Sequence, residues 1–537
     1  MSKVRPRSKY RKDVNRFASI PSINIKRSVL PRSFEYKTTF DAGYLIPFYC
    51  KEVLPADTVK LSLSSLLRLT TPKVPFMDGL YVSFQFFFVP NRLVWDHWVN
   101  MMGERKNPED SIDFLTPTID ITNAQNGTLT DYFGLPTNVT GTYKVSALPF
   151  RAYNLIFNEW YRDQNLQDSL PVPTGDGPDK MSDYKLMRRA KYHDYFTSAL
   201  PAPQKGPASS ISLTGEAPVM SNGPLKFDVG SRSSTYVPGQ VFSDQKSGTV
   251  SSGSLHVATS SGPASDSIYP VSLGSDTSLY ADLTNVGDFT INDLRQAWQI
   301  QKLLETDMRS GTRYTEVLRA HFSVLSPDAR LQRPEYLGGF TRPIAVSPVV
   351  QTSSTDTTSP QGNLAALSAT FASGRGFTKS FVEHGWIIGL MSVRSDISYQ
   401  QGVHRQWTRQ GRYDYYWPVF AHLGEQPVLN KEIFVQGTAE DDEPFGYQER
   451  YAEYRYDQNM ITGKLRSTDP QSLDMWHLSQ EFENLPTLSE QFIQENPPLK
   501  RVLAVTSEPQ FIGVISVNSQ WTRAMPVYGV PGLVDHF

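Results

Sequence analysis

The chain has almost no cysteine. Cys50 is the single one among 537 residues, so no disulfide can form within the chain and no cysteine-rich zinc site can be built. Stability must come from packing and association, and a reducing, cytosolic place of folding fits that. Long apolar runs are missing too. No stretch approaches the ~18 residues of a membrane span, and the basic N-terminus lacks the apolar segment of a secretory signal. Without such a signal, the glycosylation sequons at Asn126-Gly127-Thr128 and Asn138-Val139-Thr140 read as chance matches. Catalytic signatures are absent as well: neither H-E-x-x-H nor G-x-S-x-G occurs. The stretch Gly374–Ser380 has no glycine directly before Lys379 and leads toward a strand, whereas a phosphate loop needs both that glycine and a following helix. Glu440-Asp441-Asp442-Glu443 has neither the spacing nor the glycine of a calcium loop. The nine histidines are dispersed. No catalytic residue, metal site or cofactor is assigned.

Charge is scarce overall but unevenly placed. The net charge is −2, yet residues 1–37 hold eleven basic residues against Asp13 and Glu35, a local +9 that leaves −11 for the rest. This arm is broken by Pro6, Pro21 and Pro31 and reads as extended, with no core of its own. Arg5, Arg7, Lys9, Arg11 and Lys12 lie close together, with Tyr10 and Phe17 nearby. Basic groups interleaved with aromatics suit a sequence-tolerant single-strand binder, so these five are the candidate DNA-binding residues.

Aromatics are plentiful at 12%, and 38 prolines and 35 glycines break the chain often. That balance favours strands and loops over long helices. Val82, Phe84, Phe86 and Phe88 alternate along a run that Pro90 closes, which predicts a strand with one strongly apolar face. Further strands are expected at Tyr44–Tyr49, His384–Val393 and Phe511–Val517. Helices are expected around Trp95–Met102, over 153–167, around Asp183–Tyr195, from Leu294 to a stop at Ser310-Gly311, and over Tyr314–Phe322. In the 153–167 helix, Tyr153, Ile156, Phe157 and Trp160 share one face at i, i+3, i+4, i+7. If Trp160 is fully buried there, its truncation to alanine costs roughly 3–5 kcal/mol. The polar residues Asn158, Glu159, Arg162 and Asp163 are then candidates for contact with another chain. Tyr447, Glu449, Arg450, Tyr454 and Arg455, in a segment rich in the residues of interface hot spots, are candidates of the same kind.

Residues 204–288 differ from the rest. Ser, Thr and Gly dominate, and no tryptophan occurs between Trp160 and Trp298. The segment reads as a surface protrusion with short hairpins at most. A smaller loop of the same character is expected at 351–376, and the tail from Pro526 reads as extended. The parts are an arm (1–37), a first block of strands with inserted helices (38–203), the insertion (204–288), and a second block with its tail (289–537). Strands spread from end to end, with helices and loops between them, fit a mainly β jelly roll better than an alternating α/β enzyme.

Several stretches resemble one family closely. They are the helix Y-N-L-I-F-N-E-W-Y-R-D-Q-N-L-Q at 153–167, Tyr399–Val403 through Arg409, Asp414–Gln426 continuing to Asn430-Lys431-Glu432, Phe445–Tyr456, and the ending M-P-V-Y-G-V-P-G-L-V-D-H. Together they are similar to the major capsid proteins of microviruses, and the 204–288 insertion resembles that of the gokushovirus branch. The resemblance implies a single viral jelly roll, an eight-stranded antiparallel β-sandwich with long insertions. It implies a T=1 icosahedral shell around circular single-stranded DNA, assembled in the bacterial cytoplasm. The partners it implies are copies of itself, a small DNA-binding protein, a pilot protein and a host cell-surface receptor, with no membrane insertion. The competing reading from residues alone is a carbohydrate-binding or glycoside-hydrolase jelly roll.

Overall fold

In the computed structural model the described residues are 26–207, 291–310, 313–323, 332–353, 357 and 360–528, with five short strands between 219 and 281. The five basic residues of the arm and the tail from Gly529 lie outside them. The chain divides into two compact units, one made of residues up to Pro203 and from Asp307, the other of Gln204–Thr306.

The larger unit is built on eight long strands: β1 (Ser28–Phe40), β2 (Ile46–Val53), β3 (Thr58–Leu69), β4 (Leu80–Pro90), β5 (Glu335–Ile344), β6 (Thr370–Ser380), β7 (Gly385–Ser395) and β8 (Phe511–Arg523). They form two antiparallel four-stranded sheets, in the orders β1-β8-β3-β6 and β5-β4-β7-β2. Successive strands switch sheets except at β4–β5, which is the jelly-roll path. Two insertions interrupt it, residues 91–334 between β4 and β5 and residues 396–510 between β7 and β8.

The core between the sheets is aromatic. Phe48 meets Phe84 and Phe86 edge-on at 5.6 Å, Phe84 meets Phe340 at 5.3 Å, and Phe86 meets Phe377 at 5.4 Å. Such crowding dictates glycine where strands pass beneath the rings. A Cβ on Gly374 would stand 2.5 Å from the Phe340 ring, and one on Gly376 would stand 2.6 Å from Leu61 and 2.9 Å from Phe86. Those glycines make the start of β6 read as loop, which is why the expected loop at 351–376 is in fact strand from Thr370 onward, preceded by a short strand at Leu364–Leu367. The phosphate-loop look-alike at Gly374–Ser380 lies within β6.

Strand β4 departs from the expected single apolar face. Val82, Phe84, Phe86 and Phe88 point into the sandwich, while Phe87 and Val89 enter a second core with Trp95, Tyr153, Ile156, Phe157, Ile388 and Leu390. This second core covers the outer side of the sheet, and helix α1 (Leu148–Ile156) is its main wall.

Helix α1 begins earlier than expected, with Pro149 inside its first turn, and passes into a π-type turn at Phe157–Tyr161 before Arg162 turns extended. The wider turn shifts the phase of the residues that follow. Tyr153, Ile156 and Phe157 are buried as expected, but Trp160 comes out 40% exposed. The expected helix around Asp183–Tyr195 does not form. Its peptide groups bond to distant strands and segments instead: Leu45 N–H donates to Met187 O, Arg189 N–H to Gly43 O, Lys191 N–H to Ile493 O and Glu495 N–H to Arg189 O, each at 2.7–2.9 Å. The arm, too, is shorter than 37 residues, because 28–37 belong to β1, an edge strand paired along its whole length with β8.

The smaller unit contains a pair, Val219–Ser221 with Leu279–Ala281, and a three-stranded sheet with Lys226–Val229 between Arg232–Thr235 and Val271–Leu273. Helix α2 (Ile291–Ser310) starts in it, and α3 (Tyr314–Phe322) follows in the larger unit.

Phe87 joins the outer face of the sheet to the insertion through the rings of Trp160 and Tyr161 at 5.6 and 5.8 Å, and meets Tyr336 of β5 at 5.5 Å. Phe87→Ala should therefore destabilise the larger unit by roughly 3–5 kcal/mol, read as the shift in a denaturant midpoint. A loss below 1 kcal/mol would mean the second core does not support the sandwich.

Candidate subunit-contact surfaces

The turn after α1 is fixed from within the subunit. The Arg151 guanidinium is fully buried and clamps Asp179 with two bonds, Nε to Oδ2 at 2.7 Å and Nη2 to Oδ1 at 2.6 Å, while Nη1 reaches Val94 O at 2.9 Å. A bidentate pair of this kind holds orientation as well as charge. Tyr153 donates its hydroxyl proton to Leu45 O and accepts from Met187 N–H.

Of the residues assigned to subunit contact from sequence, Asn158 is turned inward, its amide bonded both ways to the Leu170 backbone at 2.8 Å. Glu159 pairs with Arg313 Nε at 3.4 Å. Trp160 donates its indole N–H to Pro334 O at 2.9 Å and has Arg333 5.4 Å from its ring. Arg162 donates to Gln167 O at 3.0 Å, and the Asp163 carboxylate accepts from Asn165 N–H at 2.8 Å. Their neighbours Tyr161, Lys191, His193 and Thr197 share with Trp160, Arg162 and Asp163 the wall of a cavity of about 420 Å³. Burial pushes the Lys191 amine below the ordinary lysine value, and Glu495 and Asp194 pull it partly back.

A second surface lies on the 396–510 insertion. Tyr447 pairs its backbone with Leu200 and is half-buried. Glu449 and Arg455 form an exposed ion pair at 2.7 Å. Arg450 sits 5.0 Å from the Tyr451 ring, and Arg409 lies 4.1 Å over Tyr454. Around them Trp407, Tyr413, Tyr415, Tyr416, Trp417 and Val419 are exposed. Arg409, which also lies 5.9 Å from the Tyr415 ring, pairs with buried Glu453, and the partly exposed Arg405 pairs with buried Glu432, both at 3.2 Å. Burial raises the Glu432 carboxyl above its usual range, and Arg405 opposes that shift. No lysine occurs between Lys379 and Lys431, or from there to Lys464. An exposed surface of Tyr, Trp and Arg with little lysine has the composition of a protein–protein interface core. Sequence reasoning quoted Trp407 and Tyr415–Val419 for family likeness but left them out of the site. The density of aromatics with Arg and no Lys was the available signal.

Two sheets in this strand order make a jelly roll, the architecture of viral capsid subunits and also of lectins and cupins. The family model described as capsid protein (F protein) matches residues 18–533. The chain is 46% identical to capsid protein VP1 of Bdellovibrio phage phiMH2K and to that of Chlamydia phage 1, over 97% of this chain and 98% of each relative. It is 38% identical to capsid protein VP1 of Spiroplasma virus 4, over 98% and 99%. The chain therefore belongs to the capsid protein (F protein) family, the major capsid proteins of microviruses, on the gokushovirus side that the resemblance implied. It is a structural component of the virion that assembles with its own copies, which sets aside the glycoside-hydrolase reading.

With part of its ring in solvent, Trp160 contributes less than a core tryptophan. Trp160→Ala should cost roughly 1–3 kcal/mol in the isolated subunit, below the figure for a buried ring. Thermal denaturation of the unassembled protein checks this, and a loss near 5 kcal/mol would contradict the half-exposed position.

Proposed function

We propose that copies of this chain close a T=1 icosahedral shell around circular single-stranded DNA, in the cytoplasm of a bacterial host, with a pilot protein and a small DNA-binding protein as further components. The observation that carries the reading is the exposed aromatic and arginine surface of the 396–510 insertion, in a chain of a capsid family matched over nearly its whole length. That surface suits contact between like subunits. The charge for DNA sits elsewhere, in the arm that precedes β1. Arg5, Arg7, Lys9, Arg11 and Lys12 contact phosphates inside the shell, and the acidic remainder of the chain does not compete for the strand. The insertion at 204–288 faces outward and contacts a receptor on the host.

A chain starting at Arg27 keeps β1 and lacks the five basic residues. Titrated with single-stranded DNA across a salt series, the intact chain should show a log–log slope steeper by about −3.5, at about −0.7 for each of the five contacts. Equal affinity and slope in both chains would assign the arm to subunit contacts.

Replacing residues 210–280 by a short Gly/Ser linker should leave folding and particle formation intact, because loop length itself costs little. Attachment to host cells should fail, as measured by particle adsorption. Normal adsorption of the shortened particles would remove the receptor role.

A further inference from the structure

Lys191 is the only buried lysine among the described residues, at 6% exposure, and it lies in the wall of the 420 Å³ cavity beneath the Trp160 turn. Its ammonium makes no hydrogen bond or ion pair with any described residue. The Phe492 ring lies 4.6 Å from it, and Glu495 and Asp194 attract it through space. An ammonium with little solvent around it and no bonded partner is poorly stabilised, and an anion in the cavity would improve that. Arg162 adds a buried Nε with no partner among the described residues, and His193 adds an exposed ring. The two carboxylates of the wall are engaged elsewhere, Asp163 with Asn165 N–H at 2.8 Å and Glu316 with Arg313 at 2.9 Å. Trp160, 40% exposed, lines the same cavity.

We propose that this cavity is a nucleotide site, holding the phosphate of one nucleotide of single-stranded DNA on Lys191 and Arg162 with the base against Trp160. Its volume falls among small-ligand sites, roughly 300–1,000 Å³, and far exceeds what a lone carboxylate needs. An aromatic face beside paired cations is the arrangement that takes a base and its phosphate together. The site is separate from the arm: it reads one nucleotide unit, where the arm acts as a polyelectrolyte. It rests on the reading that the shell encloses DNA.

Calorimetric titration of the full-length protein with thymidine monophosphate, inorganic phosphate and thymidine tests it. The monophosphate should bind at least ~10-fold tighter than either fragment. Lys191→Met should weaken it roughly tenfold, the value of one charge-assisted bond, without lowering the melting temperature, since the ammonium it removes is bonded to no described residue and burial disfavours its charge. Arg162→Gln should weaken it as well. Equal affinity of wild type and both variants would overturn the site, as would phosphate alone binding as well as the nucleotide. Lys191→Met should keep the salt slope for long single strands, because that slope belongs to the arm. Nucleotide binding without any binding of long strands would count against DNA enclosure while leaving the cavity assignment intact.

Discussion

Strand β4 carries large apolar groups on both sides, and neither side can face water. Phe84, Phe86 and Phe88 fill the sandwich, while Phe87 and Val89 need cover on the outside of the sheet. The part of the 91–334 insertion that precedes residue 204 supplies that cover through α1 and the segments around it, so this part belongs to the fold. The Arg151–Asp179 clamp holds the covering layer from inside, where both charges are removed from water and each is matched by the other.

The same requirement explains the extended run that replaces the expected helix near residue 190. A helix would satisfy its own peptide groups. Here the sheet rim at Gly43 and Leu45 and the chain near Glu495 offer unpaired peptides, and the run between Met187 and Lys191 pairs with both. Glu495 and Lys191 are buried by this threading. The Glu495 carboxylate accepts from Ser395 through both backbone N–H and hydroxyl, at 3.2 and 3.0 Å. Lys191 finds no such partner.

The surface left over has a consistent character. On the 396–510 insertion exposed Tyr and Trp stand beside arginines, as where Arg409 lies over Tyr454 and Trp417 donates to Arg412 O. Side chains tied in this way lose less entropy on association, and Tyr, Trp and Arg are the residues of interface hot spots. A subunit that must meet neighbours on several sides is served by such surfaces on its loops, with the sandwich supplying rigidity beneath them.

The sequence by itself determined the local periodicities and the family. Period-two alternation located β4, a continuous apolar run located β7, helical spacing located α2 and α3, and the stretches at 153–167, 399–426 and 445–456 carried the identification. What only the tertiary structure decided depends on partners far along the chain. The run at 187–191 is strand-like because of residues near 45 and 495. Trp160 is half-exposed because a π turn shifts it off the face its spacing assigned. Glycines 374 and 376 are required by Phe340, Phe86 and Leu61, side chains on other strands. The cavity at Lys191 belongs to the same class, since its walls come from four separated segments. Spacing along a chain reports which residues share a face, but burial, pairing and cavities are set by what folds against that face.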